Sequence, residues 1–308
     1  MKTIVQFLIF PGFLFTAVVG LIASWIDRKV TARVQWRVGP PWYQPFVDMV
    51  KLLGKETIIP KGTSAVTFLT APLVGLASVT LISMLLWLTL LNPGKGFIGD
   101  LIVVLYLSVI PAVSIIIGGF ASRNPLASLG ASREMKLVLG YELPFVLALL
   151  VPVIKAGGSI RLDEIVASQM ATGATATSLS GVLALIVAIM CMQAKLTLVP
   201  FDLPEAETEL MGGAYIEYSG PPLAVYKLTK HMFMFALPIF LVMTFMGGFG
   251  PSPISLILGL LKYVALLVII VLIRNTNPRV RIDQAVRFFW GPMTLFAIVA
   301  VALAFLGW

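Results

Sequence analysis

Carboxylates are scarce in this chain, and five of its fourteen Asp and Glu residues fall in one stretch, residues 195–222, KLTLVPFDLPEAETELMGGAYIEYSGPP. They are Asp202, Glu205, Glu207, Glu209 and Glu217. Acids held this close raise one another's proton affinity, and beside a membrane such a cluster can relay protons. The plainer reading is a solvated acidic loop, and spacing alone leaves both open. Glu142, in REMKLVLGYELPFVLALL, stands apart inside an apolar run. An acid at the bilayer centre costs about 2.5–3.5 kcal/mol on insertion scales, which makes it a functional candidate. The structural alternative is a hydrogen bond to a neighbouring helix, and Tyr141 beside it offers one donor. Redox and metal chemistry lack their ligands: one cysteine (Cys191) and one histidine (His231) cannot hold an iron–sulfur cluster or a bis-histidine haem.

These acids need elements to position them. Asp202 and Glu205 read as a capping box opening a short helix, with Pro204 in its first turn. Asp202, Glu205 and Glu209 would then share one helical face. Gly212-Gly213 would stop that helix, and Gly220-Pro221-Pro222 would deliver the chain to the next apolar run. With 59% hydrophobic and 12% charged residues, against roughly 25% charged in soluble domains, the chain is a polytopic membrane protein. The expected fold is all-α, one integral membrane domain over residues 1–308 with about eight transmembrane helices. They fall at about Ile4–Ile26, Val66–Leu91, Phe97–Phe120, Lys136–Ile154, Leu179–Val199, Leu223–Met246, Ile254–Ile273 and Phe288–Leu306. The first lacks a cleavage site and reads as a retained helix.

The polar links carry the basic residues. Between spans one and two, residues 27–65 include Lys29, Arg33 and Arg37 at four-residue intervals, which would stripe one helix face. Phe46, Met49, Val50 and Leu53 then mark a short amphipathic helix suited to the membrane surface. The stripe fits anionic headgroups or a partner subunit, and pattern alone does not rank the two. Seven Lys and Arg lie in this link, whereas the even-numbered links hold only Lys95, Lys155 and Arg161. The positive-inside bias therefore puts the odd links, including 195–222, in the cytoplasm and both termini outside. The net charge of +8 is thus a topology signal and does not point to nucleic acid.

Three blocks of these residues carry a resemblance. DRKVTARVQWRVGPPWYQPFVDMVKLLGKE, the Tyr141-Glu142 pair and PFDLPEAETELMGGAYIEYSGPP look like the H subunit of NADH:quinone oxidoreductase, respiratory complex I. That family includes the equivalent subunit of membrane-bound energy-converting nickel–iron hydrogenases and related ferredoxin-dependent complexes. The resemblance runs from Asp27 to about Leu228. It implies a non-catalytic plasma-membrane subunit that anchors a peripheral electron-transfer arm and opens a cation path into antiporter-like membrane subunits. Iron–sulfur clusters and a nickel–iron centre would reside in partner subunits, with no cofactor in this chain. Carried over, Glu142 matches the mid-membrane acid of the path, and Asp202, Glu205, Glu207, Glu209 and Glu217 match its cytoplasmic acids. Arg28, Lys29, Arg33, Arg37, Arg133 and Glu134 are the expected contacts to partner subunits.

The chain departs from the quinone-type pattern. Where that pattern reads Ala-Glu-x-Asn-Arg, this chain has Ala194-Lys195-Leu196-Thr197-Leu198, and Gly130-Ala131-Ser132-Arg133-Glu134-Met135 looks like a loop of the hydrogenase branch. The resemblance therefore points to a hydrogenase or ferredoxin-dependent complex translocating protons or sodium. The alternatives are a quinone-channel subunit and, from another class, a stand-alone secondary transporter. A transporter of the latter kind would often show internal repeats, and none is evident.

Overall fold

The computed structural model describes residues 2–92, 94, 96–250 and 252–308, apart from the side chains at 2, 3, 207 and 208. Among the described residues it is helical and turn structure without a strand. In chain order the helices are α1 (Lys2–Leu8), α2 (Phe13–Val34), α3 (Gln44–Leu53), α4 (Ala65–Leu91), α5 (Asp100–Leu107), α6 (Ile110–Ala121) and α7 (Pro125–Lys155). They continue with α8 (Leu162–Thr172), α9 (Leu179–Lys195), α10 (Glu207–Leu210), α11 (Gly220–Phe245), α12 (Pro253–Thr276), α13 (Ile282–Phe288) and α14 (Thr294–Phe305). Among the described residues, seven helical stretches are long and apolar enough to cross a bilayer. The eighth expected span, α9, is a shorter apolar helix of 17 residues.

Proline and glycine explain where the spans differ from expectation. The first is broken between α1 and α2 at Pro11-Gly12, and α2 ends at Val34, so Arg37 lies beyond the helix. The third is broken between α5 and α6, where Pro111 at the start of α6 supplies no backbone donor. The fourth begins eleven residues before the expected Lys136, so the GASREM segment is helix and not loop. Asn124 caps it by accepting from Leu126 N at 2.8 Å, and Pro125 occupies the first turn. In the last span a π-helical turn, Phe289–Met293, surrounds Pro292 between α13 and α14.

Helix α11 is the centre of the bundle. Some 83% of its apolar window is buried, against 28–56% in the other spans. It packs on α2 and α4, while α7 packs on α6, α9 and α14. At Gly20 a Cβ would stand 2.7 Å from the His231 carbonyl oxygen, so only glycine lets α2 approach α11 this closely.

The links sort to two ends. At one end, Arg274 pairs with Asp27, Arg279 with Asp202, Asn124 bonds Glu217, and Ser219 bonds the backbone at Glu56 and Ile58. Those contacts join all four basic, odd-numbered links. At the other end Asp100 and Asp163 accept backbone N–H groups from Leu162 and Gly96, and Gln169 bonds the backbone at Met243, Thr244 and Gly247. Ser180 donates there to the backbone oxygen of Trp308, near the carboxyl terminus. The alternation read from the charges is therefore a physical segregation, with the basic links together.

Candidate functional site

The acidic stretch leaves α9 at Lys195 and lies over the basic end of α7 and α11. Its docking needs Gly130: a Cβ there would stand 2.6 Å from Ala214 N and 2.8 Å from the Pro204 oxygen. The stretch also bonds to itself, with Ala214 N donating to Pro204 O at 3.2 Å.

Each described acid of the stretch is held by a group from elsewhere in the chain. Asp202 pairs with Arg279, from the link after α12, at 2.7 Å. Glu205 pairs with Lys230 of α11 at 2.7 Å, and the same ammonium reaches the Thr197 carbonyl at 3.3 Å. Glu209 pairs with Arg133 of α7, and Glu217 accepts from the Asn124 side chain. The Glu207 side chain lies outside the described residues. Three of these acids thus face a cation and Glu217 an amide donor, so the described part is not a loop of bare, mutually repelling carboxylates. Burial lifts the Asp202 carboxyl above the ordinary carboxylate range, and Arg279 opposes the shift.

The expected capping box is absent. Helix α10 covers only Glu207–Leu210, so Asp202, Glu205 and Glu209 do not share a helical face. The Asp202 carboxylate instead meets the Arg279 guanidinium in a charge-assisted contact, and its side chain is not free to cap a helix.

Deeper along α7, Glu142 meets Lys195 at 2.7 Å, with 25% of the Glu142 side chain exposed and none of the Lys195 side chain. The Lys195 ammonium also donates to Ser108 Oγ at 3.2 Å and lies 5.0 and 4.7 Å from the ring centres of Tyr141 and Phe145. Pro144, inside α7, removes the donor that would otherwise satisfy the Gly140 carbonyl, loosening the turn in which Glu142 lies. The remaining Glu142 oxygen, the Tyr141 hydroxyl and Gln193 Oε1 are buried without hydrogen-bond partners.

Two cavities adjoin the pairs. One, of about 280 Å³, is lined by Glu205, Tyr215, Tyr226 and Lys230 among others. The second, of about 20 Å³, lies between Lys195, Thr197, Tyr215, Thr229 and Lys230. The smaller has room for about one water. The arrangement is a ladder of carboxylate–cation pairs: Asp202–Arg279 and Glu205–Lys230 towards the basic end, then Glu142–Lys195 within the bundle. Such pairs can exchange partners or protons when one rung is disturbed.

The expected partner contacts divide. Arg33 and Arg37 are exposed, Arg28 pairs with Asp48 at 2.7 Å and fastens α3 to α2, and Lys29 donates to the Val38 carbonyl at 3.0 Å. On α3, Pro45 and Met49 are buried whereas Val47, Val50 and Leu53 stay exposed, so an apolar face remains beside the basic residues. Arg133 is spent on Glu209. Glu134 is a correction: none of it is exposed, so it cannot touch a partner subunit here. Its helix places it inward because residues 125–135 continue α7 and are covered by the acidic stretch.

Sequence reasoning treated Lys195 only as a departure from a pattern. A lysine closing an apolar helix, with one acid available in the neighbouring span, was the signal that the two pair. Lys230 and Arg279 had no comparable signal, because their partners are set by packing across long sequence separations.

Comparison with known proteins agrees in extent and in kind. A family model described as NADH dehydrogenase matches residues 5–305. The H subunit of NADH-quinone oxidoreductase from Anoxybacillus flavithermus is 32% identical over 302 residues, covering 94% of this chain and 90% of that protein. Its counterpart in Brevibacillus brevis is 31% identical over 319 residues, covering 98% and 94%. Among solved structures, a chain of the membrane-bound sulfane sulfur reductase, an archaeal respiratory membrane complex, superposes with a TM-score of 0.88 at 30% identity. That match covers 99% of this chain and 100% of the other.

Proposed function

Because the chain belongs to the H-subunit family of NADH-quinone oxidoreductases, we propose that it couples electron transfer in a peripheral arm to ion translocation across the plasma membrane. The complex is of the ferredoxin-dependent, membrane-bound hydrogenase type, and this chain is its anchor. The observation that carries the reading is the Glu142–Lys195 pair. It lies about halfway along a membrane-crossing helix, and one quarter of the Glu142 side chain faces outwards. The carboxyl itself is held inside, one oxygen on Lys195 and the other buried, and the partly open side chain around it marks where a neighbouring membrane subunit would pack. Glu142 is then the point where the path leaves this chain for an antiporter-like partner. The ladder above it supplies the input. Displacing the acidic stretch as the arm turns over would disturb Glu205–Lys230, and the change in field would alter the balance of Glu142–Lys195. On the positive-inside bias the basic end faces the cytoplasm, where the arm would sit against Arg33, Arg37 and the exposed face of α3.

Overall identity does not separate the branches, since the quinone-type relative and the sulfur reductase chain are 32% and 30% identical. The residues do. A quinone head group needs polar partners near the arm. Lys195 is committed to Glu142 and Ser108 inside the bundle, and Leu198 is an apolar, buried residue where the quinone-type pattern has arginine. The acceptor is accordingly protons or another small species, such as the sulfane sulfur named for the structural relative.

The test uses the purified complex in proteoliposomes with reduced ferredoxin, following hydrogen evolution, sulfane sulfur reduction and quinone reduction in parallel with ion uptake. Glu142→Gln keeps shape and hydrogen bonding but removes the titratable charge. Electron transfer to artificial acceptors should persist while translocation falls. Rapid quinone reduction would move the chain to the other branch, and undiminished pumping by Glu142→Gln would make that acid structural.

A further inference from the structure

Glu134 lies on α7 between the two deepest rungs of the ladder, and the pairing just described leaves it unused. None of the residue is exposed, and neither carboxyl oxygen has a hydrogen-bond partner. Among the described residues no other buried carboxyl has both oxygens in that condition. Its charged surroundings are Lys230, Glu205 and Lys195. Both lysines are already bonded elsewhere, Lys230 to Glu205 and Lys195 to Glu142, each at 2.7 Å.

Tyr141 extends the pattern. It follows Glu134 by seven residues, about two helical turns, so both lie on one face of α7. Its hydroxyl is also buried without a partner, and both Glu134 and Glu142 act on it electrostatically. The cavity of about 20 Å³ lined by Lys195 and Lys230 has room for about one water. Burying an acid with no partner is unfavourable, and a fold gains nothing by it. An orphan carboxyl, an orphan hydroxyl and a one-water cavity between two ion pairs are the parts of a proton path at rest.

We infer that Glu134 is a proton station between the Glu205–Lys230 pair and the Glu142–Lys195 pair, passing its proton through Tyr141 to Glu142. The inference rests on the coupling role proposed above and assigns the proton as the ion handled at this point. In the first half, an excess proton enters from solvent at the basic end as hydronium in the Glu205 cavity. An O–H bond of that hydronium breaks, leaving water, as one forms on a Glu134 oxygen. In the second, when the disturbed ladder admits water along the shared face of α7, that O–H bond breaks and the proton is handed through the water to the Tyr141 oxygen, while the Tyr141 hydroxyl gives its own proton to Glu142. Tyr141 stays neutral because it accepts and donates together. Glu142 becomes neutral and releases Lys195. One proton moves, Glu134 returns to a carboxylate, and no electron changes hands.

The experiment compares the unmodified complex, Glu134→Gln and Glu134→Asp in proteoliposomes, with reduced ferredoxin as donor and a pH-sensitive dye inside. Glu134→Gln keeps the volume and removes the acid, so assembly and thermal stability should equal or exceed those of the unmodified complex. With an uncoupler present its electron transfer should match the unmodified rate, while proton translocation per electron pair drops about tenfold or more, the scale of losing a proton-transfer group. Glu134→Asp restores a carboxyl and should recover part of the loss, which a purely structural role would not produce. Translocation by Glu134→Gln within about twofold of the unmodified complex, far below the loss expected on removing a proton-transfer group, overturns the inference and leaves the coupling role standing. Failure of Glu134→Gln to assemble overturns it as well, because the carboxyl would then be holding the fold. If the unmodified complex translocates nothing, the coupling role itself falls.

Discussion

The Lys195–Glu142 pair permits a quantitative test of whether the bundle treats it as one unit. Lys195→Met leaves Glu142 with one oxygen already lacking a partner and the other newly deprived. Breaking a buried pair from one side costs about 3–5 kcal/mol. Glu142→Gln is milder, because the ammonium keeps Ser108 at 3.2 Å, the two ring faces at 5.0 and 4.7 Å, and the new amide oxygen. A hydrogen bond to a charged group is worth about 1.5–3 kcal/mol and a desolvated cation–π contact up to about 2 kcal/mol. The net loss should therefore be about 1–3 kcal/mol. The double variant removes both charges and leaves neither stranded. Its cost should fall short of the sum by about 2–3 kcal/mol, the coupling expected for directly bonded groups. The assay is titration of the four complexes with a denaturing detergent in mixed micelles, following release of this subunit. Costs that add to within about 0.5 kcal/mol would refute the reasoning, since the charges would then be independently solvated.

Other predictions concern docking, pH and sidedness. Gly130→Leu places side-chain atoms where Ala214 N and the Pro204 oxygen lie 2.6 and 2.8 Å from a Cβ, so the acidic stretch should lift. The expected cost is about 1–3 kcal/mol, read as faster proteolysis within residues 203–213; an unchanged cleavage rate would contradict the packing. The hydrogen bond from Arg161 holds the Asp163 carboxyl below the ordinary range. Its stabilisation is complete above the unfolded value of about 3.9 and is lost as pH falls through the lower folded value. Asp202, lifted by burial against Arg279, behaves oppositely: its contribution is complete below about 3.9 and declines as pH rises through the folded value. Unfolding midpoints measured from about pH 3 to 7 should lose the acid limb in Asp163→Asn and the decline in Asp202→Asn. Cysteines at Lys61 and Arg123 should react only from the cytoplasmic side and one at Thr172 only from outside, with native Cys191 silent because it is buried. Opposite labelling would invert the topology.

Several features were legible before any coordinates. Apolar runs of bilayer length demand helices, because backbone groups in hydrocarbon must bond within their own segment. Lys and Arg counts by link foretold which links meet at one end, as the contacts Arg274–Asp27 and Arg279–Asp202 bear out. The acidic stretch and Glu142 stood out because charge is scarce and costly there. Tertiary structure decided the rest. Asp202-Leu203-Pro204-Glu205 has the local signature of a helix cap, yet its acids turn to Arg279 and Lys230, from elements folded against it. Glu134 lies one residue from Arg133, yet one is sealed inside and the other pairs with Glu209. Adjacent helical positions differ by about 100° in direction, so covering one face with a distant segment separates them completely. Local pattern names residues able to carry charge. Which charges meet is settled by long-range packing, where each pair forms between segments whose approach no single segment encodes.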